Sequence, residues 1–170
     1  PAVNVRNTGF LKLKAQGETV LGPVKALLGD PNSHLQARAI WLMAQLGPKG
    51  IAEVENRLSH RDAQMRIAAF RALRFVNHRM LDHARVLSKD SSSAVRREVA
   101  LALRDQPFEQ VKDILMELAK GYDGKDRWYL EAFGAACAGQ EAQVYALLKS
   151  GFSADPADWT SREADFAWRL

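Results

Sequence analysis

Residues Asp90 to Asp105, reading DSSSAVRREVALALRD, limit the possible folds more than any other stretch of the chain. Asp and Ser at the start can cap a helix, and Val95, Val99, Ala102 and Leu103 recur on one helical face with charge opposite. A single amphipathic helix cannot bury such a stripe alone. The same pattern stands about 30 residues upstream as RDAQMRIAAFRALR from Arg61, and about 30 further upstream as DPNSHLQARAIWLM from Asp30, a period in the range of helical repeats. The chain therefore reads as copies of one helical unit.

Taken in order, Pro1 to Thr8 carries no period and is expected to be an extended or frayed lead-in. A partial repeat follows over 9–29, with a start or kink at Gly22-Pro23. Full repeats are expected at 30–60, 61–89, 90–122 and 123–151, and a partial repeat or cap at 152–170, all within one domain spanning 1–170. In the first full repeat Ser33 to Gln36 has the form of a capping box, Gly47 ends the helix, and Pro48 opens its partner. Asp62 and Asp126 are the expected caps of later first helices.

Superposing the first helices aligns Leu35 with Met65, Val95 and Trp128; Ala39 with Ala69, Val99 and Ala132; and Met43 with Leu73, Leu103 and Ala136. Small residues at the middle position allow close approach, and larger ones fill the gaps. The expected fold is all-α: an α-solenoid of HEAT-like repeats, a right-handed superhelix of antiparallel helix pairs, each pair touching only its neighbours.

A hydrophobic content of 47% is that of an ordinary folded protein. The net charge of +4, from 24 basic against 20 acidic residues, is small and interspersed, a weak argument for a nucleic-acid partner. Cys137 is the only cysteine, which excludes an internal disulfide, a cysteine-based zinc knuckle and covalent haem attachment within this chain. No apolar run approaches the ~18 residues needed to span a bilayer. Because the sequence begins at Pro1, it reads as an excised or processed piece.

The apolar-Arg pairs Met65-Arg66 and Val95-Arg96, each after an aspartate or similar turn and before Ala-rich helical spacing, resemble short bacterial HEAT repeats from about Asp30 to Gly151. The first repeat departs from the pattern with Gln36. A narrower resemblance lies in HLQARAIWL (from His34), SAVRREVALALRD (from Ser93), LAKGYDGKDRWYLEAFG (from Leu118) and the closing FAWRL. Together these are similar to the HEAT-repeat segment of large exported proteins of planctomycetes and verrucomicrobia known as membrane-bound dehydrogenases. In that family a sorbosone-dehydrogenase-like propeller precedes the repeats and a c-type haem domain follows. The resemblance implies a helical spacer or docking segment within an exported, periplasmic redox protein, with the reaction carried elsewhere. It transfers no catalytic residue and no cofactor to this segment.

Among residues that could carry chemistry, His78 and His83 lie five apart and do not share a helical face, while His34 and His60 fall at turns; exposed or capping roles are preferred to metal binding. Arginines cluster at Arg61, Arg66, Arg71, Arg74, Arg79, Arg85, Arg96, Arg97 and Arg104, as in HEAT-like solenoids of the DNA-glycosylase type, but a base-excision site also needs a carboxylate and aromatics round a pocket. GYDGKDRWYLE, from Gly121, is the most unusual local sequence. On one reading Asp126 caps a helix, Arg127 pairs with Glu131, and Trp128 fills a widened gap between repeats. On the other, a partner sits against Asp123, Asp126, Trp128 and Tyr129. Cys137, on an Ala-rich helix, is expected to be buried and inert.

The function expected from the sequence is a non-catalytic protein-interaction or spacer module, with no cofactor, no metal and no membrane insertion. Its partners would be another protein or neighbouring domains of the same chain. Its working surface would be the concave face of second helices, with Glu53, Arg57, Asp82, Arg85, Lys112, Glu117, Gln143 and Lys149 as candidates. The alternatives are a nucleic-acid-binding solenoid and, with no residue set to support it, a HEAT-like lyase acting on a pigment.

Overall fold

Helix starts repeat along the chain with the same local chemistry. Asn32 accepts from the His34 N–H at 3.0 Å, Asp62 from the Gln64 N–H at 2.8 Å, and Asp126 from the Tyr129 N–H at 3.0 Å, each satisfying a donor that the first helical turn leaves open. Two residues before three of the N-caps, Asp30, His60 and Asp90 accept from the backbone N–H of residues 32, 62 and 92. Four residues into each of these helices a long side chain folds back. Gln36 donates to the Asp30 carbonyl at 2.6 Å, Arg66 to His60 at 2.7 Å, and Arg96 to Asp90 at 2.6 Å. The apolar-Arg pattern in the sequence is thus a turn lock. Gln36 serves as this lock, with Asn32 as the cap, instead of closing the capping box expected at Ser33.

The structure, a computed structural model, describes residues 2–170, and the described residues form helices and turns with no strand. They fall into two compact units, Pro1–Met80 and Leu81–Leu170. The first contains α1 (Val3–Ala15), α2 (Leu21–Ala26), α3 (Ser33–Met43), α4 (Pro48–Glu55) and α5 (Ala63–Phe75). Helix α1 begins where an extended lead-in was expected, and it buries no residue completely; Phe10 packs against the edge of the core. That core gathers Ala39, Ile40, Met43, Val54, Met65, Ala69 and Leu73. Pro48 opens α4 as expected, and Gly50 lets α4 press on the Met43 carbonyl, where a Cβ would collide.

The second unit contains α6 (Met80–Leu87, beginning at the boundary), α7 (Ser93–Leu103), α8 (Phe108–Lys120), α9 (Arg127–Ala136), α10 (Glu141–Lys149) and α11 (Ser161–Arg169). Helices α7 and α9 pack along each other, α8 touches both, and α11 lies on α9 and α10. Tyr122, Tyr129, Phe133 and Phe166 form one aromatic cluster with ring centroids 5.1 to 5.8 Å apart. The Tyr122 hydroxyl donates to Asp165 at 2.7 Å, and Arg162 donates to the Ala119 carbonyl at 3.0 Å, tying α11 to the end of α8.

All-α character agrees with the sequence, but the open HEAT-repeat solenoid does not. Helices that are not consecutive pack densely inside each unit, α3 on α5 and α7 on α9, and the second unit closes on its aromatic cluster and the Arg169–Glu131 ion pair. Each unit is a compact helical bundle. The physical reason is that a 30-residue amphipathic period specifies which helix faces are apolar, and those faces satisfy a closed bundle as well as an extended stack. The HEAT-segment reading, and with it the dehydrogenase-fragment reading that depended on it, loses its structural ground.

Candidate functional site

Helix α9 decides where the second unit meets its surroundings. Counting from the caps, the third residue of each first helix is Leu35, Met65, Val95 and then Tyr129, so the inward position on α9 belongs to Tyr129 and not, as the sequence alignment had it, to Trp128. The ring of Tyr129 is buried under the Arg96 guanidinium, 5.5 Å from the ring centroid, and its hydroxyl donates to the Leu118 carbonyl at 2.8 Å. Burial raises its pKa although Arg96 acts in the opposite direction. One residue earlier is about 100° round the helix, so Trp128 points outward and is 74% exposed. It fills no gap between helices.

Around Trp128 the outer faces of α7, α9 and α11 form a continuous surface. Leu101 on α7 is 46% exposed, and Trp168 on α11 is 64% exposed. A shallow groove of about 470 Å³ runs between α7 and α9, lined by Arg97, Leu101, Trp128, Glu131 and Ala132. Arg127 stands over the Trp168 ring, 4.8 Å from its centroid. Each carboxylate here faces an arginine. Glu131 accepts from Arg127 Nε at 2.7 Å through Oε1 and from Arg169 Nε at 3.0 Å through Oε2, and its pKa is lowered principally by the Arg127 bond. Asp126 accepts from the Tyr129 N–H through Oδ1, while its Oδ2 faces Arg97 at 3.8 Å. Arg97, without a role in the sequence pattern, thus closes on the α9 cap.

The other candidates are placed as follows. Asp123 accepts from the Lys125 and Asp126 N–H groups, which hold its carboxyl below the usual range, and so builds the turn. Arg85 pairs with Asp82 at 3.3 Å, Lys112 with Glu109 at 2.8 Å, and Glu117 with Lys120 at 3.3 Å, all within their own helices. Glu53 pairs with Lys25, and Arg57 is partly buried in the turn after α4. Gln143 and Lys149 are exposed on α10, where Lys149 lies 5.8 Å from the Tyr145 ring centroid. Arg85 and Glu117 line one open groove of about 350 Å³ between α6 and α8, which the other candidates do not line, and the argument for a concave working face falls with the superhelix.

Groups with chemical potential are engaged structurally. His78 Nε2 lies 3.1 Å from Glu55 Oε1. His83, expected to be exposed or capping, is buried. Cys137 is buried and its thiol is pushed up to about 12 by that burial, so it is a poor nucleophile at neutral pH. A cleft of about 490 Å³ between α8, α10 and α11 contains Lys120, Arg162 and Glu163 among apolar side chains. There Arg162 binds the Ala119 carbonyl, Glu163 completes a capping box with Thr160, and Lys120 pairs with Glu117. No family model, curated protein or solved structure matches this chain. No helix among the described residues is long and apolar enough to cross a membrane.

Trp128 was named in the sequence, but Leu101 and Trp168 were missed as surface residues. The signal that finds them is the cap: once Ser92 and Thr160 are taken as N-caps, both residues fall outside the inward positions of their helices.

Proposed function

We propose that this chain is a non-catalytic protein-interaction module whose contact surface is the outer face of α7, α9 and α11. The observation that carries this reading is the exposure of Trp128, with Leu101 beside it, on helices whose inward positions are already filled by Val95, Val99, Tyr129 and Phe133. A tryptophan that contributes nothing to the core is the residue type enriched at binding hot spots, and an adjoining Leu and Arg supply the apolar floor and donor rim of such a site. The phosphate-binding alternative has less support, because Asp126 and Glu131 stand among Arg97, Arg127 and Arg169 and would repel a run of phosphates.

Selection of a random peptide display library against the whole chain tests this reading. Peptides should enrich, and their binding should be lost in a Trp128→Ser, Leu101→Ser variant whose circular dichroism and melting curve match the parent. If no ligand is enriched, or ligands bind the variant equally well, the reading falls.

A further inference from the structure

The charges round the α7–α9 groove are unequal, with Arg97, Arg127 and Arg169 set against Asp126 and Glu131, and this specifies what it can hold. Both oxygens of Glu131 and both oxygens of Asp126 already have partners on the protein. The guanidinium groups around them do not use all their donors. Arg127 spends Nε on Glu131 and its face on Trp168, and Arg97 turns a single Nη toward Asp126 at a loose 3.8 Å, whereas each guanidinium carries five N–H donors. Spare guanidinium donors and a surplus of positive charge thus stand beside an apolar floor made by Leu101, Trp128 and Ala132.

We infer that the groove binds an acidic amphipathic peptide segment, with one or two aliphatic or aromatic side chains seated between Leu101 and Trp128 and carboxylates on either side paired with Arg97 and Arg127. This rests on the interaction-module reading and specifies the chemistry of its partner. A carboxylate takes two N–H donors from a guanidinium in a planar fork, and exposed Arg127 offers its Nη pair in that form. A polyanion suits the surface less well. Its closely spaced phosphates would also meet Asp126 and Glu131, which alternate with the arginines, whereas isolated carboxylates flanking an apolar anchor can match the two arginines alone. A basic segment would meet the surplus guanidinium charge, since each carboxylate here already faces an arginine.

Three synthetic peptides of about four helical turns, carrying the same Leu and Trp anchors but flanked by Glu, Gln or Lys, test the inference by fluorescence anisotropy with the whole chain. The Glu peptide should bind about tenfold more tightly than the Lys peptide, and the difference should shrink as salt rises. Trp128→Ser should abolish binding of all three. The double variant Arg97→Gln, Arg127→Gln should keep the anchor-dependent binding but lose the preference for Glu. Equal binding of the three peptides, or binding indifferent to Trp128→Ser, overturns the inference. So does a dimer in sedimentation velocity that Trp128→Ser dissociates, which gives the groove to a second copy. Tight binding of an oligothymidine lost in the same variant overturns it in favour of nucleic acid. Library-selected ligands that need Trp128 but carry no acidic preference would defeat the inference while leaving the interaction module standing.

Discussion

Arg169 donates from Nε to Glu131 Oε2 at 3.0 Å, and it reaches that carboxylate because position 134 carries no side chain. A Cβ at Gly134 would run into the Arg169 guanidinium. The last helix is thus held on α9 by a contact that depends on one missing methyl group. Gly134→Ala is expected to destabilise the chain by about 1–3 kcal/mol through overpacking, despite the better helix propensity of alanine, and to expose α11 to limited proteolysis first. An unchanged melting temperature and an uncut C-terminal helix would refute this account.

Glu131 also makes a pH prediction. Its carboxyl is held below the ordinary range, chiefly by the hydrogen bond from Arg127. A lowered pKa contributes stability that is complete above the unfolded-state value of about 4.3 and is lost as pH falls through the folded-state value. The parent should therefore melt above Glu131→Gln at pH 7, and the two curves should converge as pH falls below about 4. A gap that stays constant from pH 7 to pH 3 would show that the carboxylate charge is not the source. The effect should be modest, because the pair is partly exposed.

Arg96 joins two backbone turns and a buried ring. Its Nη1 donates to the Asp90 carbonyl at 2.6 Å and its Nη2 to the Gly121 carbonyl at 2.8 Å, while its face lies on Tyr129. Removing it leaves carbonyls of two turns without their donor. Arg96→Ala should cost about 2–3 kcal/mol in urea denaturation, and Arg96→Lys should recover only part, since a single ammonium cannot span both carbonyls in the guanidinium's planar geometry. Full rescue by lysine would mean that charge alone matters at this position.

Neighbouring aromatic residues on α9 should behave oppositely. Phe133 is fully buried against Phe166, and Phe133→Ala should cost about 3–5 kcal/mol. Trp128 is mostly exposed, and Trp128→Ala should change stability by no more than about 0.5 kcal/mol. Equal losses in the two variants would contradict the assignment of Trp128 to the outer surface.

Much of the local structure was legible in the sequence. Asp62 and Asp126 cap helices as their position before an apolar run implied, Pro48 opens α4, and the Arg127–Glu131 pair forms at i, i+4. The shift from Trp128 to Tyr129 was legible in the Asp126 cap but not in the alignment of the repeats. Both residues are apolar enough for a core, and only the rotation set by the Asp126 cap separates them; the Leu118 carbonyl and Arg96, both distant in sequence, then favour the tyrosine. The start of α1, over residues 3–8, was missed because it has no apolar stripe to read. His60 was expected at a turn in an exposed or capping role, and it proves to stand in the place that Asp30 and Asp90 occupy, its Nδ1 accepting where they offer a carboxylate.

The amino-acid pattern alone established that the chain is helical, where most helices begin and, α9 apart, which faces they bury, because capping and amphipathic periodicity are short-range properties that need no partner to be defined. The closing of those helices into compact units was decided in three dimensions. Tyr122 finds Asp165 and Glu131 finds Arg169 across long sequence separations, and no local rule names such pairs in advance. The same holds for the surface round Trp128. A residue's exposure is the outcome of every helix that fails to cover it, so the tertiary arrangement of α7, α9 and α11 is what turned an unusual aromatic turn into a candidate docking groove.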